Sequence, residues 1–302
     1  QKNFLFYRES CIMTAKMNTS TNKSVPTLTQ KLRSLEKVWV VLPFLLFALL
    51  LIFSNFHDWD YYRAPAEAER RAWLGDGMLP LWSYQICGGL TRIGDPDSFG
   101  LSPSFIFVLL FGSLWGPKLI MLLHCLVGFI FSRRLFSETP TWFKLEDHPQ
   151  DENKPLGTAI ALAFTFGNYF IWHLHVGHLN FSATYLALAL IYFASKSLLQ
   201  GLSRKEFALA TLMTWWFFSG GFYPGTVYLL IPFYLFLCLP IGIKLLSLSK
   251  HRASLRAFLS KTIQCASFHL LGMACAFYKI AGVWNQQAVH PRTPADPPVE
   301  IV

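Results

Sequence analysis

Between positions 38 and 56 nineteen residues pass without a charge. Coiled into a helix, such a run covers about 28 Å, close to the roughly 30 Å of a bilayer's hydrocarbon core. It is too long, and lies too far from the first residue, to be a cleaved leader. Backbone placed in lipid must satisfy its own N–H and C=O groups, which restricts it to helices or a closed barrel. The remaining apolar residues are bunched as well, at 117–136, 156–172, 179–194, 207–219, 222–243 and 262–283. With 53% of residues hydrophobic and 14% charged, the chain reads as all-α, a polytopic transmembrane helical bundle of about seven spans. The run 104–114 is too short to cross and is expected as a re-entrant or surface-lying helix. The run 207–219 is the shortest of the seven.

Charge placement orients the spans. With the N-terminus inside, 19 of the 26 Lys and Arg residues fall in the tail before position 38 and in the inner loops, which carry Arg133, Arg134, Lys196, Arg204, Lys205 and Arg256 among others. That bias follows the positive-inside rule and puts the loop 57–103 outside, in a cytoplasmic membrane. The net charge of +9 is thus a topological feature, and nucleic acid is not an expected partner, because the basic residues do not gather on one face. Six cysteines give no framework. Cys125, Cys238, Cys265 and Cys275 fall in spans, Cys11 lies in the tail, and Cys87 alone lies outside, with no Cys-x-x-Cys pair. Three stretches result: a disordered cytoplasmic tail at 1–37, in which Met13 or Met17 would be a more natural start than Gln1, a transmembrane domain at 38–283, and a Pro-rich outer segment at 284–302 that reads as a truncation point.

Loops that merely join helices are short, so the long loop 57–103 is where chemistry is expected. It opens on His57-Asp58-Trp59-Asp60. Residues 64–74 follow, with Pro65 near a helix start and Glu67 four residues before Arg71. They should form a short helix in the interface, with Trp59, Tyr61, Tyr62, Trp73, Trp82 and Tyr84 at headgroup depth. A glycine-rich stretch closes the loop, Gly88-Gly89 leading through Arg92 to Gly94-Asp95-Pro96-Asp97.

The set Gly77-Met78-Leu79-Pro80-Leu81-Trp82-Ser83, Gly88-Gly89, Gly94-Asp95-Pro96-Asp97-Ser98 and Ser102-Pro103 resembles the first outer loop of YfhO-like membrane proteins of the GT-C glycosyltransferase superfamily. Leu122-Leu123-His124 leading to Arg133-Arg134, and Gly177-His178-Leu179-Asn180, are similar too. The resemblance covers about residues 38–240. It implies a GT-C-like fold with interfacial helices in the first outer loop, and transfer of a sugar from a polyprenyl-phosphate carrier to an extracytoplasmic glycan, lipid or protein acceptor.

Displacing a sugar from a lipid phosphate needs one carboxylate as general base and groups that hold a stable leaving phosphate. Asp58 and Asp60 are the candidates for the base, or else a solvated acidic pair that ends the first span. An Asp-x-Asp pair could also hold a divalent cation such as Mg or Mn, the one cofactor the sequence suggests. Asp95 and Asp97 are either substrate contacts or turn residues. Arg92 could grip the lipid phosphate with two donors, or meet anionic headgroups instead. His173, His175 and His178 invite a metal reading, but steps of two and five residues lie about 200° and 140° apart on a helix, so only a broken turn brings them together. Substrate contact or a satisfied interfacial position are the other readings. Tyr223, in Ser219-Gly220-Gly221-Phe222-Tyr223-Pro224-Gly225, either lines the substrate cavity or belongs to a tight turn. Two further functions compete with the transferase. One is a transporter or lipid flippase, for which His124, His269 and Lys279 are nearly the only mid-span ionisable residues. The other is a catalytically silent subunit of an assembly.

Overall fold

The computed structural model describes residues 28–54, 59–80, 82–83, 90–92, 95, 98–143, 153–176, 178–220, 230–231, 234–235 and 252–289. By its contacts the chain divides into Gln1–Trp39 and Val40–Val302. The described residues form nine helices: α1 (Leu28–Phe53), α2 (Trp59–Leu74), α3 (Ile106–Phe143), α4 (Asn153–Thr165), α5 (Asn168–Val176), α6 (Thr184–Leu199), α7 (Arg204–Ser219), α8 (Arg252–Cys275) and α9 (Phe277–Val289). Helix α1 thus begins ten residues earlier than the span expected at 38, inside the stretch read as tail. Two short 3-10 helices, Pro103–Phe105 and Leu179–Ala183, complete the helical elements among the described residues, which also include a two-residue antiparallel pairing of β1 (Trp82–Ser83) with β2 (Leu90–Thr91), Trp82 opposite Thr91.

Among the described residues two helical segments, Pro103–Glu138 and Phe181–Leu199, are long and apolar enough to cross a membrane, and the bent pair α8–α9 raises the number to three. The second of these contains α6, which is apolar all round and buried along almost its whole length. A helix of that kind belongs in the middle of a bundle, and α6 packs against α3, α7 and α8. Its core neighbours include Phe131, Leu135, Trp216, Phe217 and Phe268. Small residues let the helices approach. A methyl group on Gly128 would meet the Tyr185 side chain at 2.7 Å, and one on Gly272 would meet Thr214 Cβ at 2.4 Å. Such contacts hold helices together where lipid removes the hydrophobic drive.

Two of the expected spans are broken, and helix α3 is broken just ahead of a third, the run 117–136. Helix α3 reverses at Gly112, whose φ of 74° is open to glycine at little cost. A Cβ on Gly116 would lie 2.5 Å from Val108 Cα. Eight residues of straight helix would separate these two by about 12 Å, so the first two turns fold back onto the rest. The folded-back piece falls on the run 104–114, expected as a re-entrant or surface-lying helix, and Ile106, Leu110 and Phe111 on it are exposed. The run expected to cross at 156–172 is split at Phe166–Gly167 into α4 and α5. The carbonyl of Thr165 at that break accepts a 2.6 Å bond from Tyr185 Oη, which satisfies a group that the helix no longer does. The run 262–283 bends by 65° between α8 and α9. Most of 222–243 lies outside the described residues.

The turn from α6 to α7 shows how sequence sets a helix boundary. Gly201, at φ 89°, ends α6. Ser203 and Glu206 form a reciprocal capping box that starts α7, and Gln264 of α8 bonds Leu202 N at 2.7 Å and Leu202 O at 2.8 Å.

Candidate functional site

Helix α2 begins at Trp59, earlier than expected, and carries one buried face. Trp59, Tyr62, Ala66 and Glu69 are all less than a tenth exposed, at a spacing that lines one side of a helix. Trp59 Nε1 donates to His175 O at 3.2 Å, and its ring takes the Lys118 ammonium at 5.4 Å. Trp59 and Tyr62 therefore pack into the core with Phe99, Phe105 and Met121 and turn their rings to protein. An aromatic side chain suits either place, and here hydrogen bonding inside the protein decides. Trp73 Nε1 donates to Gly100 O at 3.0 Å. Tyr61, Trp82 and Tyr84 have no described side chains.

The opposite face of α2 is charged and open. Asp60 is 78% exposed at its side chain and pairs with Arg63 at 3.0 Å. Glu67 meets Arg71 at 3.2 Å, the four-residue pair expected from the sequence. Asp58, the other candidate base, lies outside the described residues, as do Asp97 and Tyr223.

A buried ion network joins α2 to the rest of the loop. Glu69 Oε1 accepts from Arg92 Nε at 2.8 Å and Nη2 at 2.7 Å, and from Ser98 Oγ at 2.6 Å. Arg92 Nη1 pairs with the Asp95 carboxylate. Arg92 is 3% exposed, so the Nε–Nη2 edge that a phosphate would need is occupied by Glu69. Burial pushes the Glu69 carboxyl up, against the pull of Arg92, Ser98 and Lys279. Its Oε2 has no hydrogen-bond partner among the described residues. Gly100 allows this packing, since a Cβ there would lie 2.7 Å from Glu69 Oε2. From α9, Lys279 Nζ donates to Asp95 O and, at 2.5 Å, to Ser98 O, and Tyr278 Oη donates to Leu101 O at 2.8 Å. Arg92, Ser98, Ser219, Tyr278 and Lys279 give the polar lining of a cavity of about 10 Å³, room for about one water.

The three histidines part company. Helix α5 ends at Val176, and the turn that follows returns His178 N to His173 O at 2.9 Å. His173 and His178 then face each other, Nδ1 to Nδ1 at 2.8 Å, a contact with room for one proton between the two nitrogens. Phe181 stacks on His173 at 4.1 Å. Burial and the neighbouring His178 hold the His173 imidazole below its ordinary range. His175 turns away to Ser54 Oγ at 3.1 Å. So the broken turn joins two of the three, and among the described residues no three His, Cys, Asp or Glu side chains are gathered for a metal ion.

Three groups in this region escaped the sequence reading in their roles. Glu69 and Lys279 anchor the ion network, and Lys118, buried in α3, donates to Ile52 O at 3.3 Å and lies over Trp59 and Trp115. Their signal was positional. Glu69 falls on the buried stripe of α2, and Lys118 is the single Lys, Arg, Asp or Glu between Asp97 and Arg133. Of the residues suggested for a transporter, His124 bonds Ser182 Oγ at 2.7 Å, and His269 has Tyr234 Oη at 2.8 Å and Cys265 O at 2.9 Å.

No protein-family model matches the chain, and neither a curated protein nor a solved structure shows significant similarity to it.

Proposed function

We propose that this chain is a membrane glycosyltransferase that moves a sugar from a polyprenyl-phosphate donor to a glycan, lipid or protein acceptor on the extracytoplasmic side of a cytoplasmic membrane. The supporting observation is Asp60. It is an exposed carboxylate on the first turn of a helix whose other face is fixed by Glu69, Arg92 and Ser98. A general base needs that combination of open access and a scaffold that holds still. In this reading Asp60, or Asp58 beside it in sequence, takes the acceptor's proton. The His173–His178 turn, close to the start of α2 through His175 and Trp59, meets the donor phosphate. Arg92 and Asp95 serve by holding the loop. Tyr223 and Asp97 remain candidate substrate contacts, and a divalent cation on Asp58 and Asp60 would be exposed by chelation.

The test is incubation of purified protein with a panel of polyprenyl-phosphate sugars and envelope extracts, followed by a search for a mass shift on any acceptor. Asp60→Asn and Asp58→Asn should fold normally, and one of them should lose activity by about a hundredfold or more. Wild-type rates in both variants would remove these residues as bases. A second reading, a silent subunit of an assembly, is favoured by one observation: Arg92 of the loop and Lys279 of α9 are engaged within the protein around a cavity that fits about one water. Absence of transfer across the whole panel, with co-purification of a catalytic partner, would choose it.

A further inference from the structure

We infer that the bent pair α8–α9 positions helix α2 through Lys279 and Tyr278, so that movement at the bend is passed to the helix that carries Asp60. Three backbone carbonyls within seven residues of the loop, Asp95 O, Ser98 O and Leu101 O, all accept from two adjacent side chains at the start of α9. These contacts join positions about 180 residues apart in sequence. Lys279 is 2% exposed. A buried ammonium carries a large desolvation cost, which these carbonyls offset only while the loop stays in place.

From the loop the connection continues by side chains. Ser98 Oγ and Arg92 bond Glu69, and Gly100 O accepts from Trp73, so α2 is held at two positions one turn apart. Asp60 lies nine residues before Glu69 on the same helix, about 14 Å along its axis. Pro65 removes one backbone bond of the helix between them, so displacement at Glu69 reaches Asp60 through the buried face that Trp59, Tyr62, Ala66 and Glu69 share. The other end of the linkage is the bend itself. Ala276 N bonds back to Gly272 O and Met273 O, and Lys279 N to Ala276 O, with neither Pro nor Gly between Cys275 and Phe277 to fix the angle. Lys279 and Tyr278 are thus positioning residues, and their effect on catalysis rests on the transferase reading, whereas the linkage itself does not.

Distance measurement on the full chain in lipid nanodiscs tests the linkage without any activity. Spin labels at Arg71→Cys on α2 and Trp284→Cys on α9, both exposed, in a background with the native cysteines replaced by alanine, should give one narrow distance distribution. Lys279→Met should shift or broaden it, and Tyr278→Phe should do so less. Should Lys279→Met not fold, Tyr278→Phe, which deletes one hydroxyl, decides. An unchanged distribution in the folded variants overturns the linkage, whether or not transfer is detected. A changed distribution in a protein that shows no transfer supports the linkage and counts against the transferase alone.

Discussion

Arg92→Met is the sharpest probe of the ion network. It leaves the Glu69 carboxylate, 1% exposed at its side chain, with Ser98 Oγ as its remaining hydrogen bond among those of the network. Removing one partner of a buried ion pair costs about 3–5 kcal/mol, because the other charge stays behind uncompensated. The carboxyl can escape by taking up a proton, and this sets a ceiling. From an ordinary Glu value near 4.3, protonation at pH 7 costs about 3.7 kcal/mol, at 1.36 kcal/mol per unit. At pH 5 the same escape costs only about 1 kcal/mol. The defect should therefore grow with pH: thermal unfolding of purified protein should show Tm lowered by roughly 7–15 °C at pH 7, at about 2–4 °C per kcal/mol, and by about a quarter of that at pH 5. The double variant Arg92→Met/Glu69→Gln removes the stranded charge and should recover half or more of the loss at pH 7. A pH-independent loss, or a double variant no better than the single, would refute the claim that Glu69 and Arg92 are a compensated buried pair.

Other outcomes follow from single contacts. Gly272→Ala places a methyl group 2.4 Å from Thr214 Cβ and should destabilise the α7–α8 contact by about 1–3 kcal/mol, read as a lower Tm. Glu206→Gln should cost about 1 kcal/mol through the capping box and the 2.6 Å pair with Lys196. Lys196, with the Ser203 backbone, holds the Glu206 carboxyl down at about 2. Its contribution is thus present above the ordinary Glu range and fades as pH falls through about 2, so the wild-type advantage over Glu206→Gln should shrink steadily below the ordinary Glu range and vanish in unfolding curves recorded at or below the folded value. His178→Ala should release His173 and raise its imidazole pKa, measurable by the pH dependence of its ring proton shifts, because the neighbour that disfavours its charged form is gone. An unmoved titration would mean that burial alone holds it down.

The run 179–194 was legible as a span because most of one apolar stretch became one helix, α6, although the first five residues of the run form a 3-10 turn and the helix continues to Leu199 before Gly201. The pair Glu67–Arg71 was legible for the same reason: neighbours three or four apart on a helix need no tertiary information. Breaks were harder. Gly112 and Gly167 were visible as glycines in apolar runs, yet a glycine inside a membrane helix is as often a close-packing position as a bend, and Gly128 and Gly272 are packing positions. The bend at Ala276 carries no residue that marks it. It stands beside the docking of Lys279 and Tyr278 on a loop about 180 positions earlier, a tertiary contact that no local pattern announces.

The same limit explains the site. Periodicity could place Trp59, Tyr62, Ala66 and Glu69 on one face, but whether that face met headgroups or protein depended on partners from α3 and the α5 turn. Once an acid lies on a buried stripe, however, physics demands a cation within hydrogen-bond reach or a raised pKa, and Glu69 has both. Arg92 was read as a phosphate ligand because an arginine between glycines and aspartates beside a membrane suits an anion. The structure gives that arginine a resident anion from its own chain. A donor phosphate would have to displace Glu69 from it, exchanging one buried carboxylate pairing for another anion while leaving Glu69 uncompensated. That exchange is unfavourable by the cost of a stranded buried charge, about 3–5 kcal/mol. Arg92 therefore acts most economically as a fixed part of the scaffold, and phosphate recognition in the proposed reaction falls to groups such as His173 and His178, whose shared proton can be rearranged without stranding a full charge.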